Sequence, residues 1–110
     1  MRSALIILSI FVITTSCNIE NKNQVNDQFK VKRGTNIAHF LSQSHRRGET
    51  RAQFFTEKDV KAIASMGFDH IRLPIDEEQM WDETGNRHHD AFQLLTNAID
   101  WSIANDLKVI

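Results

Sequence analysis

The sequence predicts an α/β protein in which strands and helices alternate in the order β-α-β-α-β. Three observations predict it. Residues 56–67 and 91–104 carry apolar residues at helical spacing, and short runs at 31–37, 69–73 and 107–110 flank them. Such alternation implies a parallel sheet joined by right-handed crossovers. Two long polar loops, at roughly 39–53 and 75–90, each follow a strand, so both fall at the C-terminal edge of the sheet, where α/β proteins gather functional groups.

The chain has 110 residues, and residues 1–17 read as an export signal. Arg2 supplies a short positive start, and residues 4–13 (ALIILSIFVI) are an apolar run of ten. That run is too short for a helix crossing a bilayer core, which needs about 20 residues, but right for a signal. Thr14-Thr15-Ser16-Cys17 resembles a bacterial lipobox, in which the cysteine is lipidated and becomes the new N-terminus, although Thr14 stands where leucine is usual. The expectation is export, with a lipid anchor on Cys17 holding the protein to the membrane of the cell envelope; without the anchor it is periplasmic or secreted. Residues 18–31 are rich in Asn, Gln and charge, and read as a flexible tether. The folded part is residues 32–110.

Without the signal, twelve basic residues face fourteen acidic ones, and no Lys/Arg-rich stripe appears. That balance argues against a nucleic-acid partner. A single cysteine excludes an intramolecular disulfide and a multi-cysteine metal knuckle.

The first strand is expected over 31–37, weakened by Gly34. Thr56 is a natural N-cap for the first helix, Asp59 sits where a capping-box acid belongs, and Phe55 and Val60 have the spacing of a hydrophobic staple. Val60, Ile63 and Ala64 form its apolar face, Gly67 offers the left-handed C′ position, and Phe68 folds back on the last turn. Residues 69–73 (DHIRL) read as a strand stopped by Pro74. Ile71 and Leu73 point one way, His70 and Arg72 the other. A charge in a short strand of this kind is unusual, so Arg72 needs a buried or cleft-facing partner. In the second loop, Thr84-Gly85-Asn86 reads as a turn. The second helix is expected over 91–104 with Phe92, Leu95, Ile99 and Ile103 as its apolar stripe, ended by Asn105 or Asp106. Residues 107–110 begin a third strand.

These residues look familiar. Arg33-Gly34-Thr35-Asn36-Ile37 resembles the first-strand G-x-N pattern of glycoside hydrolase family 5, the cellulase-like enzymes. Residues 55–60 (FTEKDV) and 66–75 (MGFDHIRLPI) resemble that family's first helix and second strand, and residues 98–101 (AIDW) and 107–110 (LKVI) its second helix and third strand. The resemblance implies the N-terminal β-α-β-α-β portion of a (β/α)8 TIM barrel, truncated, since a whole barrel needs about 250 residues. It also implies hydrolysis of O-glycosidic bonds in a polysaccharide such as a β-glucan, with retention, by two glutamates roughly 5–5.5 Å apart and without metal or organic cofactor. In the family those glutamates follow the fourth and seventh strands, so neither falls in this chain, which is expected to be inactive and poorly stable alone. Arg72 is the one active-site residue that carries over. The family's second-strand arginine hydrogen-bonds the nucleophilic carboxylate, a role suited to a group that stays charged and presents a rigid fork.

Other residues invite sharper and blander readings. His39 follows the first strand and could reach the cleft, or serve as a hydrogen-bonded structural histidine. Trp81 could stack on a sugar or pack its loop, whereas Trp101 reads as packing. Asp76 is placed for a substrate hydroxyl, with capping or loop hydrogen bonding as the plainer role. Glu77-Glu78 and Asp82-Glu83 read as solvated surface. His88-His89-Asp90 lacks a third ligand cluster for a metal, and helix N-terminus chemistry at Asp90 explains it better. Arg46-Arg47 reads as solvated, although a loop arginine could meet an acidic sugar. A reading of another class is a small non-catalytic surface lipoprotein that binds a glycan or a protein partner; such a domain is expected to close its sheet and end outside a strand, and ending at Val109-Ile110 speaks against it.

Overall fold

The computed structural model describes residues 29–110; the expected export signal, the expected lipidation at Cys17 and most of the expected 18–31 tether lie outside the described residues. Seven elements follow in order: β1 (Gly34–Asn36), α1 (Gly48–Ala52), α2 (Glu57–Ser65), β2 (His70–Arg72), α3 (Glu77–Met80), α4 (His89–Ala104) and β3 (Lys108–Val109). The strands form one parallel sheet in the order β1-β2-β3, with Gly34 opposite His70, Asn36 opposite Arg72 and Ile71 opposite Val109. Ladder bonds run past the strand ends: the Ile37 N–H donates to the Arg72 carbonyl at 2.9 Å and the Leu73 N–H to the Ile110 carbonyl at 2.8 Å.

Gly34 is explained by its neighbour. A Cβ there would lie 2.0 Å from Nε2 of His70, so only glycine lets the imidazole fold over β1. Asp69, just before β2, ties down the entry to β1: its carboxylate accepts the backbone N–H groups of Lys32 (2.8 Å) and Arg33 (3.1 Å) and meets Nδ1 of His70 at 2.7 Å. The His70 contact, joined by those two amides, holds the Asp69 carboxyl below its ordinary value.

Helix α2 forms as its sequence signals predict. Oδ2 of Asp59 accepts from the backbone N–H of Thr56 (2.8 Å) and from its hydroxyl (2.7 Å), the reciprocal arm of a capping box. Phe55 and Val60 are both buried in the core, and Gly67 takes the left-handed conformation at φ +80°. The core lies between the sheet and the helices: Ile71 and Leu73 of the β2 segment pack with Val60, Ala91, Ala98 and Leu107. By strand alternation, Asn36, His70, Arg72 and Lys108 share the opposite face of the sheet.

Three expectations need correction. The two polar loops are not wholly irregular. The first contains α1 and buries Arg51, and the second contains α3 and buries Gln79 and Met80. Arg51 is 1% exposed because its charge is met: Nη2 donates to Oδ2 of Asp90 at 2.7 Å and Nη1 to Oε1 of Gln79 at 3.2 Å, while Nε2 of Gln79 donates to the Ser44 carbonyl at 2.8 Å. Helix α4 starts at His89, with His88 rather than Asp90 in the N-cap position. Its innermost residues are Ala91, Ala98 and Ser102; Ile103, expected in the apolar stripe, is 65% exposed. The buried face is thus turned by about a quarter of a helical turn from the Phe92–Ile99–Ile103 line, and its small residues let the helix settle close to the sheet. At its end Asp106 takes the left-handed conformation at φ +59°, as expected for this stop.

Candidate functional site

Asn36 ends β1 and Arg72 ends β2, so parallel register places their side chains side by side on one face. Nη1 of Arg72 donates to Oδ1 of Asn36 at 2.9 Å. The two line a cleft of about 240 Å³ at the C-terminal edge of the sheet, together with Ser42, Gln43, Pro74 and Asp76. Among the described residues the ion pairs are Arg51–Asp90, Lys61–Glu57 and His70–Asp69, and Arg72 has no carboxylate partner. The predicted need for a partner is met by an amide oxygen, which steers the guanidinium without neutralising it. The remaining N–H groups stay available to an anion entering the cleft.

Asp76 occupies the N-cap position of α3. Its Oδ2 accepts the backbone N–H of Gln43 and its own N–H donates to the Leu41 carbonyl at 2.9 Å, so it clasps the two front loops together while lining the cleft. A parallel bridge between Leu41 and Ile75 reinforces the clasp. His39 is exposed, with φ +61° and Nδ1 3.0 Å from the Gln43 carbonyl; it braces the loop and is not among the residues lining the cleft. Trp81 is half-buried with its ring edge-on to Phe92, centroids 5.2 Å apart. It lines a neighbouring open concavity with Glu77, Glu78 and Glu83, and that concavity shares Ile75 with the Arg72 cleft. Trp101 packs half-buried against the core.

The loop beyond Trp81 is locked by Asp82. Its Oδ1 accepts from the Thr84 hydroxyl (2.7 Å), the Thr84 N–H (2.9 Å) and the Asn86 N–H (2.9 Å), and Gly85 supplies the turn at φ +84°. The Thr84 hydroxyl, then the Asn86 amide, bring the Asp82 carboxyl down to about 2. At Asp90 burial pushes the carboxyl up, but the hydrogen bond from Arg51, the Ala91 amide and the Arg51 charge outweigh it, and the net direction is down. Among the described residues no group of three or more His, Cys, Asp or Glu side chains could hold a metal ion.

Asn36 and Gln43 are the site residues that sequence reasoning left without a role. The signal for Asn36 was present in the G-x-N motif: pairing the glycine with His70 puts the asparagine opposite Arg72.

Parallel strands joined by helices, with a polar cleft at their C-terminal edge, are the arrangement that (β/α)8 barrels share with other parallel α/β sheets. A family model for cellulase, glycosyl hydrolase family 5, matches residues 19–110, and the chain belongs to that family. It is 31% identical to cellodextrinase A of Ruminococcus flavefaciens over 78 residues, which is 71% of this chain and 23% of that one. It is 34% identical to endoglucanase C of Acetivibrio thermocellus over 85 residues, 72% of this chain and 24% of that one. Among solved structures it superposes on a glycoside hydrolase family 5 enzyme from Prevotella bryantii B14 with a TM-score of 0.59 at 16% identity, covering 72% of this chain and 25% of that chain. The cellulose synthase subunit Z of Clostridioides difficile gives a TM-score of 0.57 at 24% identity, covering 73% and 26%. These likenesses establish the fold as the N-terminal β-α-β-α-β portion of a TIM barrel. The chain spans about a quarter of the length of the curated relatives it matches.

Proposed function

We propose that this chain is the N-terminal part of the catalytic barrel of an exported, retaining O-glycosyl hydrolase that acts on a β-glucan or related polysaccharide. The observation that carries the reading is Arg72, placed at the C-terminal end of β2, steered by Asn36 at 2.9 Å and left without a carboxylate. An arginine so held is ready to receive a nucleophilic glutamate from elsewhere in the barrel and keep it ionised and oriented. One glutamate then protonates the leaving oxygen, the other forms the glycosyl-enzyme, and water releases the sugar. Asp76 and Trp81 are the substrate contacts of this reading, Asp76 for a hydroxyl and Trp81 for a ring face, while His39 braces the loop between them and β1. Export with a lipid on Cys17 belongs to the same proposal; palmitate labelling that survives Cys17→Ala would refute the anchor.

The test is Arg72→Lys in the complete barrel. Lysine keeps the charge and loses the fork, so kcat on β-glucan is expected to fall by about a hundredfold, with an unchanged thermal transition. An unaltered kcat removes the assigned role.

A further inference from the structure

The Arg72 cleft does not stand alone. It shares Gln43 with a second concavity lined by Ser44, His45, Arg46, Arg47 and Thr50, and shares Ile75 with the concavity of Trp81. Three hollows therefore run in series along the C-terminal edge of the sheet. Their charges are opposed. Glu77, Glu78, Asp82 and Glu83 line the Trp81 end, and two guanidiniums line the other.

Those guanidiniums are held in place without being neutralised. Nη1 of Arg47 donates to the carbonyls of Ser44 (3.0 Å) and Arg46 (2.8 Å). Arg46 lies over the Phe54 ring at 4.2 Å. Neither arginine forms an ion pair among the described residues. The loop that carries them is anchored from beneath by the buried Arg51–Gln79–Ser44 chain of hydrogen bonds. Two arginines unpaired with any carboxylate line the hollow that shares Gln43 with the Arg72 cleft, and a guanidinium is the side chain best suited to receive a carboxylate.

We infer that Arg46 and Arg47 form a subsite for an acidic sugar, so that the groove takes a glycan bearing a uronic acid or similar carboxylate at the β1 end. The acidic residues at the Trp81 end repel the same carboxylate, which fixes the direction in which the chain lies. This inference names the substrate class of the proposed hydrolase and rests on that reading for the path of the glycan.

Two soluble glucans separate charge from backbone: carboxymethylcellulose carries carboxylates and hydroxyethylcellulose is neutral. The complete barrel protein is run in native gels with and without each polymer, and retardation gives the affinity. The double variant Arg46→Gln/Arg47→Gln is expected to bind carboxymethylcellulose about fivefold more weakly and hydroxyethylcellulose as before. Raising the salt from about 0.05 M to about 0.5 M should reproduce the loss in the parent protein. Lys32→Gln/Arg33→Gln, an equal charge change beyond the opposite edge of the sheet, should leave both affinities unchanged. Equal weakening on both polymers, no weakening on either, or the same loss from the Lys32/Arg33 pair overturns the subsite. Charge-dependent retardation without release of reducing ends would leave the subsite standing and refute the hydrolase reading instead.

Discussion

In the proposed enzyme, Asn36 and Arg72 form the smallest unit on which the chemistry depends. An asparagine oxygen orients a guanidinium and takes none of its charge, whereas an aspartate at the same place would compete with any incoming carboxylate. Asp82 shows the opposite use of a carboxylate at this scale. Surrounded by the Thr84 hydroxyl and the Asn86 and Thr84 amides, it is held ionised down to about 2, below the ordinary aspartate value of 3.8. A depressed carboxyl contributes its loop-closing bonds above the ordinary value and loses them as pH falls through the folded one. The 82–86 loop is therefore expected to stay closed through pH 4 and open toward about pH 2. A carboxyl-carbon NMR titration of Asp82, followed with the Thr84 and Asn86 amides, checks this; a midpoint at the ordinary value would contradict it.

Elements differ in how far local signals specify them. Helix α2 was legible because everything that starts and stops it lies within the segment: Thr56 and Asp59 at one end, Gly67 at the other. Strand β2 and the position of Arg72 were legible because a charge among Ile71 and Leu73 is out of place unless it faces a cleft. Helices α1 and α3 were not legible. Beside Met80, the residues that bury them are polar, and these find partners across 28 and 39 positions of sequence, Arg51 to Gln79 and Arg51 to Asp90. No local pattern reports such a partner. The face of α4 was misplaced for a related reason, since Ala91, Ala98 and Ser102 carry less apolar signal than the isoleucines beside them yet allow closer approach to the sheet. The Arg51 network is the device that fixes both front loops. Arg51→Ala leaves a cavity and an unpaired Gln79 oxygen, and is expected to lower the unfolding free energy by about 3 kcal/mol. Arg51→Met, which refills the volume, should recover part of that. Urea unfolding measures both, and a loss below about 1 kcal/mol for the alanine variant would show that the loops are held by something else.

At the scale of the whole molecule, three parallel strands carry a cleft at one edge and a core on one face. The strand-and-helix step is the unit that a (β/α)8 barrel repeats eight times, and the chain covers about a quarter of the relatives it matches. The groove across the sheet edge gathers side chains from the segments after β1 and β2, which is how this architecture spreads a site over its units. In the proposed enzyme, positioning and chemistry are divided: Arg72 and the groove bind and orient, and the glutamates that handle protons and bond to sugar are contributed from strands beyond these three. The most direct test of that division is to purify the 110-residue chain and measure reducing ends released from soluble β-glucan against protein concentration. A chain that only binds and orients gives no release above the rate without protein. Release that rises in proportion to the amount of pure chain would contradict the division.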